Sequence, residues 1–194
     1  MPANAYGIVV EGPYDVAILP VLIRRILGSD VPVIPRPCYG KDNLWHDLLI
    51  HLKTLLYGVE GRPVENALVI RDSGGKDPKI IEAELTRKVQ ERPWAFSHGV
   101  HVCIIRREVE TWLLADAVAV NTVAEKRGGR AVAEVQGTLE EIEYPKERLK
   151  QLLSDARLEY TGEVCAEIAR LLRLDTLSYR CPSFRAFKQQ VADC

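Results

Sequence analysis

The sequence contains no apolar run long enough to cross a bilayer. The apolar stretch that comes nearest to this length ends at Arg24 and Arg25, well short of the ~20 residues that a spanning helix needs. The amino terminus also lacks a basic segment followed by the apolar core of a secretory signal. These two absences predict a protein that makes no membrane contact and works in the cytoplasm.

Cysteine and histidine are too scattered to suggest a disulfide framework or a zinc site. The five cysteines are odd in number and never form a Cys-x-x-Cys pair, which argues against a disulfide scaffold and a zinc ribbon. The histidines show no helical metal spacing, so surface or capping positions explain them better. The residues set aside are Cys38, Cys103, Cys165, Cys181, Cys194, His46, His51, His98 and His101.

The sequence also lacks an excess of positive charge. It has 26 Lys and Arg against 27 Asp and Glu, so the formal net charge is -1. No global basic field attracts nucleic acid, and any such binding must rely on a local patch or on a partner. A Gly-x-Gly-x-x-Gly turn is missing as well, because Gly12-Pro13 follows the first apolar run, and this disfavours a dinucleotide site.

What the sequence does contain is an alternation of strand and helix patterns over 194 residues. Apolar runs predict strands near 8–10, 31–35, 67–70 and 99–105, the second at a sheet edge because of its prolines. Helical patterns follow Pro13 and then occupy about 42–57, 79–90, 110–114, 145–153, 162–172 and the stretch from 182. This order predicts an α/β fold with a mainly parallel sheet flanked by helices. Residues 1–118 are the predicted α/β domain, and 119–194 a helical extension packed on it.

Acidic residues follow three of these strands within one to three positions. Right-handed crossovers would bring Glu11, Asp72 and Glu108 to one sheet edge, which is where open α/β sheets bind ligands. Asp15 at the first helix entrance and Glu110 beside Glu108 add two carboxylates. Carboxylate oxygens fixed by a rigid sheet suit Mg²⁺ or Mn²⁺. The five residues therefore predict a metal site suited to phosphodiester or phosphoryl chemistry.

Each of these acids also has a structural interpretation. Asp15 suits a helix N-cap, and Asp72 suits a cap of the turn that follows it. Glu108 and Glu110 suit the first turn of a helix, where the helix dipole favours acids. Glu11 is the hardest to explain structurally, because a carboxylate between a buried strand and Gly-Pro has little structural role.

Several segments in chain order resemble a known group of proteins. The stretch Glu11-Gly12-Pro13-Tyr14-Asp15 after a hydrophobic strand is similar to the first motif of TOPRIM domains, found in primases, topoisomerases and OLD-family nucleases. The wider pattern resembles an uncharacterised bacterial TOPRIM-like family associated with mobile elements and phage defence, often beside ATPase partners. The other segments that carry this resemblance are Val69-Ile70-Arg71-Asp72-Ser73-Gly74, Arg107-Glu108-Val109-Glu110-Thr111-Trp112-Leu113-Leu114-Ala115-Asp116, Tyr144-Pro145-Lys146 and Cys181-Pro182-Ser183-Phe184.

The resemblance implies a TOPRIM-like (Rossmann-like) fold, a Mg²⁺ or Mn²⁺ cofactor and roles for individual residues. Glu11 would be a metal ligand or general acid/base, and Asp72 would be a metal ligand. Gly74 stands where the second aspartate of the Asp-x-Asp motif is expected. That departure weakens charge neutralisation at a second metal position unless another acid substitutes, the candidates being Asp77, Glu108 and Glu110.

Two lysines are predicted to contact phosphate. Lys146 matches the Pro-Lys of the family and would neutralise a phosphate, with an exposed helix position as the alternative. Lys41 follows Gly40 in a basic, turn-rich loop and is the second candidate.

Two functions from different classes follow from these features. The first is a Mg²⁺-dependent TOPRIM-type nuclease or phosphoryl-transfer enzyme, that is, a phosphodiester hydrolase acting on nucleic acid. The second is a non-catalytic TOPRIM-like module that binds a partner ATPase, a nucleic acid or a nucleotide. Gly74 and the near-neutral net charge favour the second function, and the converging carboxylates favour the first.

Overall fold

A four-stranded parallel sheet is the frame of the molecule. The computed structural model describes residues 5–28, 30–58 and 64–193. Within these ranges the strands pair in the order β2-β1-β3-β4, and every pairing is parallel. The strands are β1 (Ala5–Val10), β2 (Val33–Pro37), β3 (Val64–Asp72) and β4 (Val100–Ile105). The prediction of an α/β fold with a parallel sheet flanked by helices is therefore confirmed.

Helices connect the strands and make up most of the rest of the described chain. None of those within the described ranges is long and apolar enough to cross a membrane. They are α1 (Pro13–Leu27), α2 (Lys41–Leu56), α3 (Pro78–Val89), α4 (Glu110–Leu113), α5 (Ala117–Lys126), α6 (Pro145–Asp155), α7 (Gly162–Leu171), α8 (Leu174–Arg180) and α9 (Pro182–Asp193), with a 3₁₀ turn at Leu139–Glu141.

The two faces of the sheet carry separate cores, because successive side chains of a strand point to opposite faces. On one face, Val9 packs against α2 and α3, and α2 contributes the buried stripe Leu44, Leu48, Leu52 and Leu55. On the other face, Tyr6, Ile8 and Val10 pack against α1 and the helices of the carboxy-terminal third. Fully buried β1 thus lies between two helical layers.

Element boundaries differ from the predicted ones where local contacts decide them. Asp42 and Asn43 are residue types that suit the N-cap of α2, but neither caps it. The N-cap is Gly40, whose N–H donates to the Glu11 carbonyl at 2.9 Å and fixes the chain just before the helix. β3 begins earlier than predicted, at Val64. The stretch 58–63, whose glycines and proline predict a turn, lies outside the described residues except for its first position.

The carboxy-terminal third contains more helix than its sequence pattern predicts. The charge and the two glycines of the stretch 124–134 predict a loop or variable helix, and its first part is the end of α5. The chain after α5 is held by Asn121, whose side chain accepts from the Val132 N–H and donates to the Val132 carbonyl. α8 was not predicted, because its seven residues are too few to show a clear period.

Trp112 and Asp116 join the carboxy-terminal helices to the sheet. The Trp112 indole is fully buried, makes an edge contact with Phe184, and donates to the Ser183 hydroxyl at 3.1 Å. Asp116 is also fully buried; it caps α5 through the Val118 N–H and accepts three hydrogen bonds from Arg173, from its backbone N–H and its guanidinium. These contacts fix the position of α8 and α9 relative to α4.

Replacing Asp116 by alanine is expected to lower the free energy of unfolding by about 3 kcal/mol, because a helix cap and several charge-assisted hydrogen bonds are lost together. Urea unfolding followed by circular dichroism measures this change. The matched control is Asp175→Ala in α8, since that carboxylate is solvent-exposed and only 3.9 Å from Lys188; the expected change is under about 0.5 kcal/mol. Equal destabilisation by both variants would contradict the assigned role of Asp116.

Candidate functional site

All seven predicted site residues line one open cavity at the carboxyl edge of the sheet. The cavity has a volume of about 390 Å³ and also receives Tyr14, Tyr39 and the glycines of the first and second strand–helix turns. The convergence follows from the parallel sheet, since the ends of β1, β3 and β4 meet at this edge. The predicted residues are Glu11, Asp15, Lys41, Asp72, Glu108, Glu110 and Lys146.

Glu11 links the ends of the two central strands. One of its carboxylate oxygens accepts a hydrogen bond of 3.1 Å from the backbone N–H of Asp72, the last residue of β3. The same oxygen lies 3.6 Å from the Arg71 Nε, an ion pair beyond hydrogen-bond distance. The Asp72 carboxylate accepts no hydrogen bond from any described residue, so it does not cap the following turn and its oxygens are available to a ligand.

Asp15 combines a structural role with its place in the cavity. It is the third residue of α1, and its carboxylate accepts a 2.9 Å hydrogen bond from the N–H of Gly12, the N-cap residue. The interpretation of Asp15 as the N-cap residue is wrong, because Gly12 holds that position and Asp15 accepts its N–H from the third residue of the helix. This bond aims the buried carboxylate towards the cavity that Glu11 also lines.

Glu108 lies just before α4 and caps α6. Its carboxylate accepts a 3.1 Å hydrogen bond from the backbone N–H of Lys146, the second residue of α6. That N–H has no partner inside the helix, and Tyr144 at the N-cap position makes no side-chain capping bond. Glu108 therefore brings the first turn of α6, and with it the Lys146 side chain, to the cavity.

Glu110 is held by a pair of stacked tyrosines. The Tyr160 hydroxyl donates a 2.5 Å hydrogen bond to the almost fully buried Glu110 carboxylate. The Tyr14 and Tyr160 rings stack with their centroids 4.4 Å apart. The Lys146 ammonium lies 5.3 Å from the Tyr14 ring centroid and 5.9 Å from that of Tyr160, within the range of cation–π attraction. The tyrosines thus position one carboxylate and one cation together.

Lys41 occupies the space beside Gly74. Gly74 has φ +55°, and a Cβ atom at this position would overlap the Lys41 ammonium. Where the resemblance leads one to expect a second aspartate, the structure therefore has the end of a lysine side chain. Asp77, one proposed substitute for the missing acid, is exposed and caps α3 through the Lys79 N–H. Glu108 and Glu110 are the substitutes that line the cavity.

Burial and mutual repulsion raise the pKa values of these acids. Burial, followed by the nearby carboxylates Asp15 and Glu11, raises the pKa of Asp72 well above its ordinary value. Burial raises the pKa of Asp15 to about 7, with Glu110 and Glu11 adding to the increase and the Gly12 N–H opposing it. Burial also raises the pKa of Glu11, partly offset by neighbouring cations, and it raises the pKa of Glu108, with Glu110 contributing. A cation in the cavity would relieve this repulsion.

The chemistry of the donors fits a hard cation, but the side chains do not form a closed cage. All five acids offer carboxylate oxygens, the ligands that Mg²⁺ and Mn²⁺ prefer. In the described ranges, no group of three or more His, Cys, Asp or Glu side chains is arranged to hold a metal ion. Mg²⁺ commonly keeps several waters and takes only one or two carboxylates, so the residues fit a hydrated ion rather than a fully coordinated one.

Sequence reasoning missed three residues that shape this cavity. Tyr160 lies in the loop after α6, where neither periodicity nor strand position suggests contact with the sheet edge. Tyr14 was noticed only as part of the first motif, and Arg71 only as a strand end. The local signal for Arg71 was its place beside Asp72 at the end of a buried strand; Tyr160 gave no comparable signal.

Comparison with known proteins identifies a family for the chain. The model of the family described as domain of unknown function (DUF4276) matches residues 10–192, a range that includes every residue of the cavity. Searches of the curated proteins and of the solved structures found no match.

Removing the Asp15 charge is expected to change how stability depends on pH. Its pKa is about 7 in the folded protein against 3.8 as the reference, so its contribution to stability is complete below pH ~4 and is lost as pH rises through 7. Asp15→Asn keeps an acceptor for the Gly12 N–H and removes the charge. Between pH 5 and pH 8, the free energy of unfolding of this variant should rise by about 3 kcal/mol relative to that of wild type.

Urea unfolding at both pH values, in the presence of a chelator, measures this difference. The control is Asp30→Asn, since Asp30 is exposed and lies outside the cavity. Parallel pH profiles for wild type and Asp15→Asn would show that Asp15 is ionised normally in the folded protein.

Proposed function

The chain belongs to the DUF4276 family, and we propose that it is a Mg²⁺- or Mn²⁺-dependent phosphodiester hydrolase of TOPRIM type that acts on nucleic acid. The observation that carries this proposal is the convergence of five carboxylates and two lysines in one cavity at the carboxyl edge of a parallel sheet. Acids with raised pKa values supply sites for a divalent cation, and the lysines supply sites for phosphate.

The residues divide into groups with different roles. Asp72, whose carboxylate has no hydrogen-bond donor in the described structure, and Asp15 are the proposed metal ligands, with Glu11 completing the set. Glu108 and Glu110 line the same cavity and add negative charge to it. When bound, the ion neutralises charge on the phosphodiester and lowers the pKa of water.

As the alternative to ligating the ion, Glu11 is the proposed general acid/base. Burial raises its pKa, which moves the carboxyl towards the range in which it can both accept and release a proton near neutral pH. Its carboxylate is fixed by the Asp72 N–H, so the proton is held at a defined position on the cavity wall. Lys41 and Lys146 approach the cavity from different elements, α2 and α6, and would contact the phosphate oxygens.

The proposal predicts cleavage that depends on the cavity acids. Wild-type protein should nick plasmid or cut single-stranded DNA with Mg²⁺ or Mn²⁺, and Glu11→Gln should lower the rate by at least about 10²-fold, the usual contribution of a general acid/base. Glu82→Gln is the matched control, because Glu82 is exposed on α3 outside the cavity. If wild type and Glu11→Gln are indistinguishable at high protein concentration, the hydrolase assignment is wrong.

A second candidate is a non-catalytic TOPRIM-like module that binds a partner ATPase, a nucleic acid or a nucleotide. Two observations favour it. Lys41 rather than an acid occupies the space beside Gly74, and no group of acids in the described ranges is arranged to hold a metal ion in advance. Both candidates use the same cavity, and they differ in whether a divalent cation binds there.

Calorimetric titration with Mn²⁺ distinguishes the two candidates. The hydrolase predicts binding at millimolar concentration or below, with at least a tenfold loss of affinity in Asp72→Asn because a carboxylate ligand is removed. The Glu82→Gln protein should bind like wild type. Absence of Mn²⁺ binding to the wild-type protein would favour the module.

A further inference from the structure

A second cavity continues from the acidic one. Its volume is about 250 Å³, and Lys41 lies on the walls of both cavities. Arg71 and Arg87 add two further cations, and Trp45 and His46 add two rings. The acids Asp42 and Glu84 complete the lining, so cations exceed acids on this wall, the reverse of the first cavity.

Arg71 connects the two cavities electrostatically. Its guanidinium is directed at Glu11 on the acidic side, while its side chain lines the second cavity. The buried Arg71 Nε has no hydrogen-bond partner among the described residues.

Tyr39 stands at the rim of the acidic cavity, two residues before Lys41. Its side chain is 72% exposed, although the ring is large and apolar. In the described part of the chain, no aromatic ring or cation stacks on it, whereas the Trp45 ring is already covered by the Lys88 ammonium at 4.8 Å. Tyr39 therefore offers a free aromatic face beside a lysine.

The backbone holds Tyr39 in an unusual conformation. Its φ is +57°, which L-residues other than Asn and Asp rarely adopt. Neighbouring bonds fix it: the Cys38 N–H donates to the Val10 carbonyl, the Gly40 N–H donates to the Glu11 carbonyl, and the Asn43 side chain donates to the Tyr39 carbonyl. Strained backbone of this kind concentrates at ligand sites, and here the strain sets the ring position relative to Glu11.

We propose that these features bind single-stranded nucleic acid, with one unpaired base stacked on Tyr39 and the adjoining phosphates on Lys41 and Arg87. The strand enters along the second cavity and presents a phosphodiester to the acids of the first. This inference rests on the proposed function, because it assigns the substrate of the same site. It supplies the local basic patch that a chain with a net charge of -1 needs to bind nucleic acid.

The aromatic face favours a single strand over a duplex. In a duplex the faces of the bases are covered by their neighbours, whereas an unpaired base can stack on an exposed ring. Proteins that bind single strands combine stacking rings with a positively charged groove, and Lys41 lines the same cavity as Tyr39.

The test is equilibrium binding of a fluorescein-labelled oligothymidylate, measured by anisotropy in chelator so that no cleavage occurs. Tyr39→Gly removes the ring and relieves the positive φ, so this variant should melt at a higher temperature than wild type and bind roughly tenfold more weakly. Tyr39→Phe keeps the ring and should bind within about twofold of wild type. Tyr179→Ala, which removes an exposed tyrosine of α8, should bind like wild type.

The salt dependence of binding distinguishes the contribution of base stacking from that of phosphate contacts. Arg87→Gln should reduce the slope of log affinity against log salt by about 0.7, the value for one phosphate contact on a single strand. Tyr39→Gly should leave that slope unchanged, because a stacked base releases no counterion. A duplex of the same length should bind more weakly than the single strand, and its affinity should not respond to Tyr39→Gly.

Three results would overturn the proposal: equal binding by wild type and Tyr39→Gly, preference for the duplex, or no binding of the oligothymidylate by wild type. The binding assay is independent of cleavage. If the protein cleaves nucleic acid but Tyr39→Gly binds the strand like wild type, the hydrolase assignment stands and the proposed strand-binding site is wrong. If binding depends on Tyr39 and no cleavage occurs, the strand-binding site stands and the hydrolase assignment is wrong.

Discussion

Repulsion among five carboxylates in one small cavity is the constraint on which the rest of the site depends. Such a group is costly to bury, and four of its members are fixed by a hydrogen bond from a protein donor. The donors come from widely separated parts of the chain, namely the end of β3, the start of α1, the start of α6 and the loop after α6. The fold therefore has to be assembled almost completely before the acids are held in place.

This dependence explains why the carboxy-terminal helices belong to the site. Lys146 and Tyr160 come from that part of the chain, and they hold Glu108 and Glu110 at the sheet edge. Trp112, only two residues after Glu110, packs against the start of α9. Segments that are far apart in the sequence are thus in direct contact, and the family match over residues 10–192 covers all of them.

The positions of the acids could be predicted because they follow from strand order alone. A buried apolar run ending in an acid gives both the strand and the place of its carboxylate, as for Glu11 and Asp72. The hydrogen-bond donors could not be predicted. The Tyr160 contact with Glu110, for example, depends on how the carboxy-terminal helices pack on the sheet, and the sequence pattern does not specify that packing. The positive φ of Tyr39 was equally hidden, because nothing in a tyrosine signals a left-handed backbone.

The contact between Lys41 and Gly74 has a consequence for how the chain can change over evolution. An aspartate introduced at position 74 would overlap the Lys41 ammonium with its Cβ atom, so the lysine side chain has to move before the cavity can receive this carboxylate. Loss of Lys41 alone would remove a cation without adding an acid. Positions 41 and 74 are therefore epistatic, and a relative with an acid at position 74 is expected to have replaced the lysine as well.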